Sequence, residues 1–170
     1  MYSLNVPLPR AVHDLADSLR PALTGFERIR HRGSRTLVVK RLEASDRRAY
    51  LDAERRARAA LAGAPPFEAR IAGIGAFTDP PNGTGPVAYL TVESTGLRAL
   101  HDGLVESLDA RPALEGRAYT PHVTLARDGD ARAVETIRGR SFEPVTWQVD
   151  ALEFYDARHD ERIDRVGLPA

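Results

Sequence analysis

Tyr119-Thr120-Pro121-His122-Val123-Thr124-Leu125-Ala126-Arg127 is the stretch on which the reading of this chain turns. As a strand, its period of two sends His122 and Thr124 to one face and Val123 and Leu125 to the other. A proton-transfer group then stands beside a hydroxyl that can hold an anionic oxygen, a pairing suited to phosphate chemistry. The competing reading is a half-buried strand with one surface histidine.

Working outward, the chain repeats an order of elements. Tyr2 to Val6 alternates as a strand, Pro9 opens a helix through Val12, Leu15, Ala16, Leu19, Ala22 and Leu23, and Arg35 to Leu42 is a β-rich strand. Ser45 caps a helix running to Gly63, and Phe67 to Thr78 is a long strand whose Gly73 and Gly75 predict a bulge or close backbone contact. The Asp79-Pro80-Pro81-Asn82-Gly83-Thr84-Gly85 stretch is the strongest punctuation in the sequence.

After it come a strand from Pro86 to Glu93, a helix capped by Thr95 with a Leu97–Leu108 apolar stripe, and the histidine strand within Glu115 to Arg127. A helix capped by Asp130 and strands over Val145 to Tyr155 and Arg162 to Leu168 complete the chain. Each half therefore reads strand, helix, strand, helix, strand. His122 lies 27 positions beyond the helix start at Thr95, and 27 positions beyond Pro9 is Thr36, which makes Thr36-Leu37-Val38-Val39 the counterpart of His122-Val123-Thr124-Leu125.

Composition narrows the function classes. The 170 residues are 42% hydrophobic, enough for one core or two small lobes, and 24 acids balance 24 bases, so a polyanion site must be a local concentration of arginine. There is no cysteine to form a disulfide, ligate a metal or act as a nucleophile. The five histidines (His13, His31, His101, His122, His159) have no zinc-type spacing, so no metal is expected. No window approaches the ~20 apolar residues of a membrane span, and no leader pattern stands at the start, which makes a soluble cytoplasmic protein the expectation.

These residues resemble the two-histidine phosphoesterase superfamily, which includes 2′-5′ RNA ligase-like proteins and RNA 2′,3′-cyclic phosphodiesterases. The similarity lies in Pro121-His122-Val123-Thr124-Leu125-Ala126-Arg127, in the Phe67–Phe77 run, and in the Val87–Val92 strand and Leu97–Leu108 helix ahead of the motif. The resemblance implies an α+β fold of two pseudo-symmetric lobes, antiparallel-rich sheets flanking a central cleft, and helices on the outer faces. The whole chain is then one bilobal domain, with lobes over 1–78 and 86–170 joined by a 79–85 linker. It further implies a metal-independent, cofactor-free and monomeric phosphoesterase acting on RNA ends or small nucleotide phosphates, with a 2′,3′-cyclic or 2′-5′ linkage. His122 and Thr124 become catalytic residues.

The first motif departs from the family pattern, because Thr36 stands where the first histidine is expected and Val38 where a hydroxyl residue is expected. One register earlier, Arg35 takes the histidine position. His31 is the nearest imidazole and a candidate replacement base, with a solvated loop histidine as the alternative. Strand alternation puts Thr36, Val38 and Lys40 on one face, so Thr36, Arg35, Lys40 and Arg127 are candidate phosphate contacts. Lys40 is the single lysine among the 24 basic residues. A degenerate protein that binds RNA or a nucleotide phosphate without turnover is the alternative function. His101, within an apolar stripe, reads as a packed histidine.

Overall fold

The computed structural model describes residues 1–169. The described residues form nine strands and four α-helices: β1 (Tyr2–Val6), α1 (Arg10–Ser18), β2 (Phe26–Ile29), β3 (Leu37–Leu42), α2 (Arg47–Leu61), β4 (Phe67–Phe77), β5 (Val87–Glu93), α3 (Thr95–Ser107), β6 (His122–Gly129), α4 (Ala131–Arg138), β7 (Val145–Val149), β8 (Ala151–Asp156) and β9 (Glu161–Gly167). The fold is mixed α+β, as the sequence implies. Its strands form one antiparallel sheet in the order β7-β4-β5-β6-β3-β1-β8-β9, with β2 pairing the far end of β6 on the edge away from β5, beyond β3.

The sheet is two four-stranded arms held together by very little. Among the described residues the only register pair between β6 and β3 is Leu37 opposite Val123, whereas β5 and β6 pair from Val87–Arg127 to Thr91–His122. Strand pairing crosses the boundary expected at 79–85 repeatedly. β4 pairs with β5 and β7, and β8 pairs with β1, so each arm draws on both halves of the sequence. The 79–85 stretch closes the β4–β5 hairpin beyond Phe77 opposite Val87.

Helix ends follow side-chain capping. Asp46 accepts from the Ala49 amide at 2.8 Å, Ser94 from Leu97 at 3.1 Å and Asp130 from Ala133 at 2.7 Å. Two expected caps, Ser45 and Thr95, are each displaced by one residue: Asp46 and Ser94 have extended backbones and present the side-chain oxygen. Gly63, at φ +80°, stops α2 as expected. One face of the sheet carries Leu4, Val6, Leu37, Val39, Val123 and Leu125 into the core. There α2 packs on α3, α3 on β3 and β4, and α4 on β4 and β6.

Other expectations are corrected or narrowed. The first helix ends at Ser18, and the expected Ala22 and Leu23 lie in a separate 3₁₀ turn over Arg20–Leu23. The histidine strand, expected within Glu115 to Arg127, begins at His122 after Gly116, at φ +64°, turns the chain. The run from Val145 to Tyr155 is two strands separated at Asp150, where the chain leaves β4 for β1. β2 lies inside what reads as a loop, with the Phe26 ring over Gly129 leaving no room for a Cβ there. Among the described residues, no helix is long and apolar enough to cross a membrane.

Candidate active site

The sheet face opposite the helices opens into a cavity of about 450 Å³ at the junction of the two arms. β6 contributes His122, Thr124 and Arg127 to its wall; from the other arm come Thr36, Val38 and Arg41. Leu37 opposite Val123 explains this arrangement. Each is the buried middle of a triplet, so Thr36 and Val38 face the same space as His122 and Thr124.

Strict alternation would then bring Ala126 and Lys40 to the cavity, yet neither lines it. On β6 the register slips where Tyr89 opposes Thr124 and Ala88 opposes Ala126, leaving Leu125 as an extra residue. On β3 it slips where Asn5 opposes Val38 and Leu4 opposes Lys40, leaving Val39 extra. Each bulge shifts the following residues by one place, burying Ala126 and Lys40 and presenting Arg127 and Arg41.

Lys40 is consequently a core residue, 1% exposed, with Nζ 2.7 Å from Glu115 Oε2 and 2.7 Å from the Arg41 carbonyl. The Glu115 carboxylate also accepts from the amides of Arg41 at 2.7 Å and Arg111 at 2.8 Å. Burial alone would raise the Glu115 pKa, but these donors outweigh it and hold the group below the ordinary carboxylate range. His101 bonds the Val39 carbonyl through Nδ1 at 2.7 Å and accepts from the Gly116 amide through Nε2 at 2.9 Å. Tyr119 donates to the Val38 carbonyl at 2.8 Å and stacks on His101 at 3.8 Å. The bulged stretch from Val38 to Arg41 is thus fastened at every residue. His101 is a packed histidine, as its stripe predicts.

His122 is held from three sides. Nδ1 lies 2.7 Å from the Thr120 carbonyl, and a carbonyl only accepts, so Nδ1 carries the proton and Nε2 is the free nitrogen at the cavity wall. Phe77 meets the imidazole edge-on at 5.1 Å and Tyr89 at 5.2 Å, and the two aromatic rings stack on each other at 4.3 Å. Gly75 makes this box possible: a Cβ there would fall 2.5 Å from the Tyr89 ring. The expected bulge in this strand is also present, between Ile71 and Gly73. Burial lowers the His122 pKa below its ordinary value; the Thr120 carbonyl opposes this, and the charges of Arg41 and Arg127 reinforce it.

Arg127 reaches the wall with Nη1 donating to the carbonyls of Asn82 at 3.1 Å and Thr84 at 3.0 Å, which pins the 79–85 loop as a rim. Arg28, bonded to Asp128 and Thr84, braces the same loop. Arg35 does not line the cavity. Its guanidinium is buried against Asp17 at 2.7 Å and the carbonyls of His13 and Arg30, while the preceding Arg30 faces the cleft. His31 is exposed at the head of the Arg32–Ser34 turn and lies outside the cavity wall, so it is not brought to His122.

Sequence reading thus places His122, Thr124, Thr36 and Arg127 at one cavity and puts Lys40, Arg35 and His31 where the structure does not. Arg41 is the residue it misses. The signal was in the repeat: Arg127 is His122 plus five, and Arg41 is Thr36 plus five. Among the described residues no cluster of three or more His, Cys, Asp or Glu side chains is placed to hold a metal ion.

A histidine and a threonine on β6 thus face a second, equivalent strand across an arginine-lined cleft. Solved structures share its scaffold. The chain aligns with the protein TT0787 of Thermus thermophilus at TM-score 0.67 and 20% identity, over 98% of this chain and 97% of that one. It aligns with E. coli LigT complexed with ATP at 0.71 and 15%, over 99% and 97%, and with LigT complexed with 3′-AMP at 0.67 and 16%, over 99% and 98%. Among the curated proteins none matches. Residues 36–161 match the 2′-5′ RNA ligase superfamily, and the chain belongs to that family.

Proposed function

We propose that this chain is a metal-independent phosphoesterase acting on RNA ends or small cyclic nucleotides, with His122 as its one proton-transfer group. The observation that carries the reading is the His122 imidazole itself: a neutral ring with Nδ1–H anchored on Thr120 and Nε2 free at a cavity wall that bears no carboxylate among the described residues. The nucleotides bound by LigT, ATP and 3′-AMP, support a nucleotide phosphate as occupant of this scaffold.

In such a site a water oxygen bonds to phosphorus while one ribose oxygen of the cyclic phosphate departs. Nε2 takes the proton of the attacking water, which the lowered His122 pKa favours by keeping the base neutral. Thr124 donates to a non-bridging oxygen, and Arg127 supplies charge as the phosphoryl group develops it. The departing oxygen takes its proton from solvent, because Thr36 and Val38 place no imidazole opposite. One missing acid–base group is worth on the order of 10²–10⁴ in rate, so slow turnover is expected.

The same Thr36 and Val38 favour a second reading, a binder of phosphate-ended RNA without turnover. A chelator-treated assay on 2′,3′-cyclic AMP separates the two. The phosphoesterase opens the ring slowly and loses this on His122→Ala. No turnover above buffer, together with measurable binding of a 3′-phosphate oligonucleotide, establishes the binder instead.

A further inference from the structure

Arg41 and Arg127 occupy equivalent places. Each lies five residues beyond the start of its triplet, each is turned into the cavity by a bulge at the residue just past the triplet, and the triplets meet at Leu37 and Val123. Neither has a carboxylate partner among the described residues, although most ion pairs of this chain employ arginine. On the Arg41 side, Glu115 is occupied by Lys40 and two amides, one of them that of Arg41 itself. Both guanidinium charges act on His122, Arg127 from its own strand β6 and Arg41 from β3, and among the described residues no Asp or Glu stands on the cavity wall.

Resting on the phosphate-site reading above, we propose that Arg41 and Arg127 form a two-guanidinium clamp that selects nucleotides ending in a dianionic 2′- or 3′-phosphomonoester over monoanionic phosphodiesters, cyclic ones included. The two positive charges that act on His122, joined on the cavity wall by Arg30, are compensated more fully by a dianion than by a monoanion. A phosphomonoester carries about −1.5 to −2 charges at pH 7, a phosphodiester about −1. Guanidinium also matches the paired oxygens of a terminal phosphate in bidentate fashion. The first motif strand then contributes binding where it contributes no imidazole. A cleft of this kind holds the opened product more tightly than the cyclic substrate.

The test is competition at pH 7.5 and low salt, in which 3′-AMP or 2′,3′-cyclic AMP displaces a fluorescent 3′-phosphate oligonucleotide within seconds of mixing. Wild type should prefer 3′-AMP by about tenfold or more. Arg41→Gln should bring the two ligands within about threefold of each other, and Arg41→Lys, which keeps the charge, should retain most of the preference. Wild type that fails to bind 3′-AMP, that binds both ligands equally, or whose ratio survives Arg41→Gln overturns the clamp. Turnover is read separately, in the cyclic AMP assay. A lost ratio in a protein that still opens cyclic AMP overturns the clamp alone, and a retained ratio without turnover overturns the phosphoesterase reading alone.

Discussion

Leu37 sits directly opposite Val123, and this pair is the register point at which the two arms of the sheet meet. Because both residues point into the core, their neighbours on either side share the cavity. Thr36 is thereby the positional equivalent of His122 and Val38 that of Thr124, an equivalence defined by backbone pairing rather than by counting residues.

Thr36→His combined with Val38→Thr should therefore install the missing half of the site. Both positions already face the cavity, and histidine and threonine suit an extended backbone. Opening of 2′,3′-cyclic AMP is expected to rise by about 10²-fold, the lower end of what one acid–base group supplies. Steady-state rates of the double variant and of the same variant carrying His122→Ala measure it. An unchanged rate would show that the cleft spacing, and not the absent imidazole, limits turnover.

Three histidines set the pH dependence. His13, His101 and His122 all have pKa values below the ordinary one, each chiefly through burial. The unfolded chain then binds protons first as pH falls, so their contribution to stability is full above about pH 6.5 and is lost progressively below it. The melting temperature should be flat from about pH 8 to 7 and drop between about 6.5 and 5. In turnover, the acid limb of kcat/KM should lie below about pH 6.5. Arg41→Gln removes one of the two charges depressing His122 and should move that limb, and the His122 NMR titration, to higher pH.

How much of this was legible in the sequence depends on which force wrote each feature. Period-two and period-3.6 patterns reveal the strands and helices because core burial imposes them, and the 27-residue repeat reveals the Thr36–His122 correspondence. Arg41 and Lys40 were exchanged because a bulge is a backbone event that leaves Val39 looking like any other strand valine. Arg35 and His31 were misjudged for a related reason. What removes Arg35 from the cleft is Asp17, a partner on α1 that no local pattern announces. β2 was missed because four residues, Phe26 to Ile29, are too few to show a period.

Glu115→Gln should be among the most damaging substitutions away from the cavity. It leaves the Lys40 ammonium buried without its counter-charge, and removing one partner of a buried pair costs about 3–5 kcal/mol. Lys40→Met on top of it removes the orphaned charge and should restore part of the loss. Arg41 also loses the carboxylate that fixes its amide, so 3′-AMP affinity should fall even in the restabilised double variant. Urea denaturation and ligand titration on the three proteins read the two effects separately.

Gly75→Ala tests the aromatic box from behind. The new Cβ would lie 2.5 Å from the Tyr89 ring, which stacks on Phe77 and borders His122, so the ring must move before the methyl fits. Overpacking of this kind costs about 1–3 kcal/mol. The backbone at Gly75 needs no positive φ, so strain comes from the Tyr89 contact alone. Pairing the change with Tyr89→Leu should recover stability but not turnover, because the imidazole then loses one wall of its box. Recovery of both would mean that the Thr120 hydrogen bond alone fixes the His122 ring.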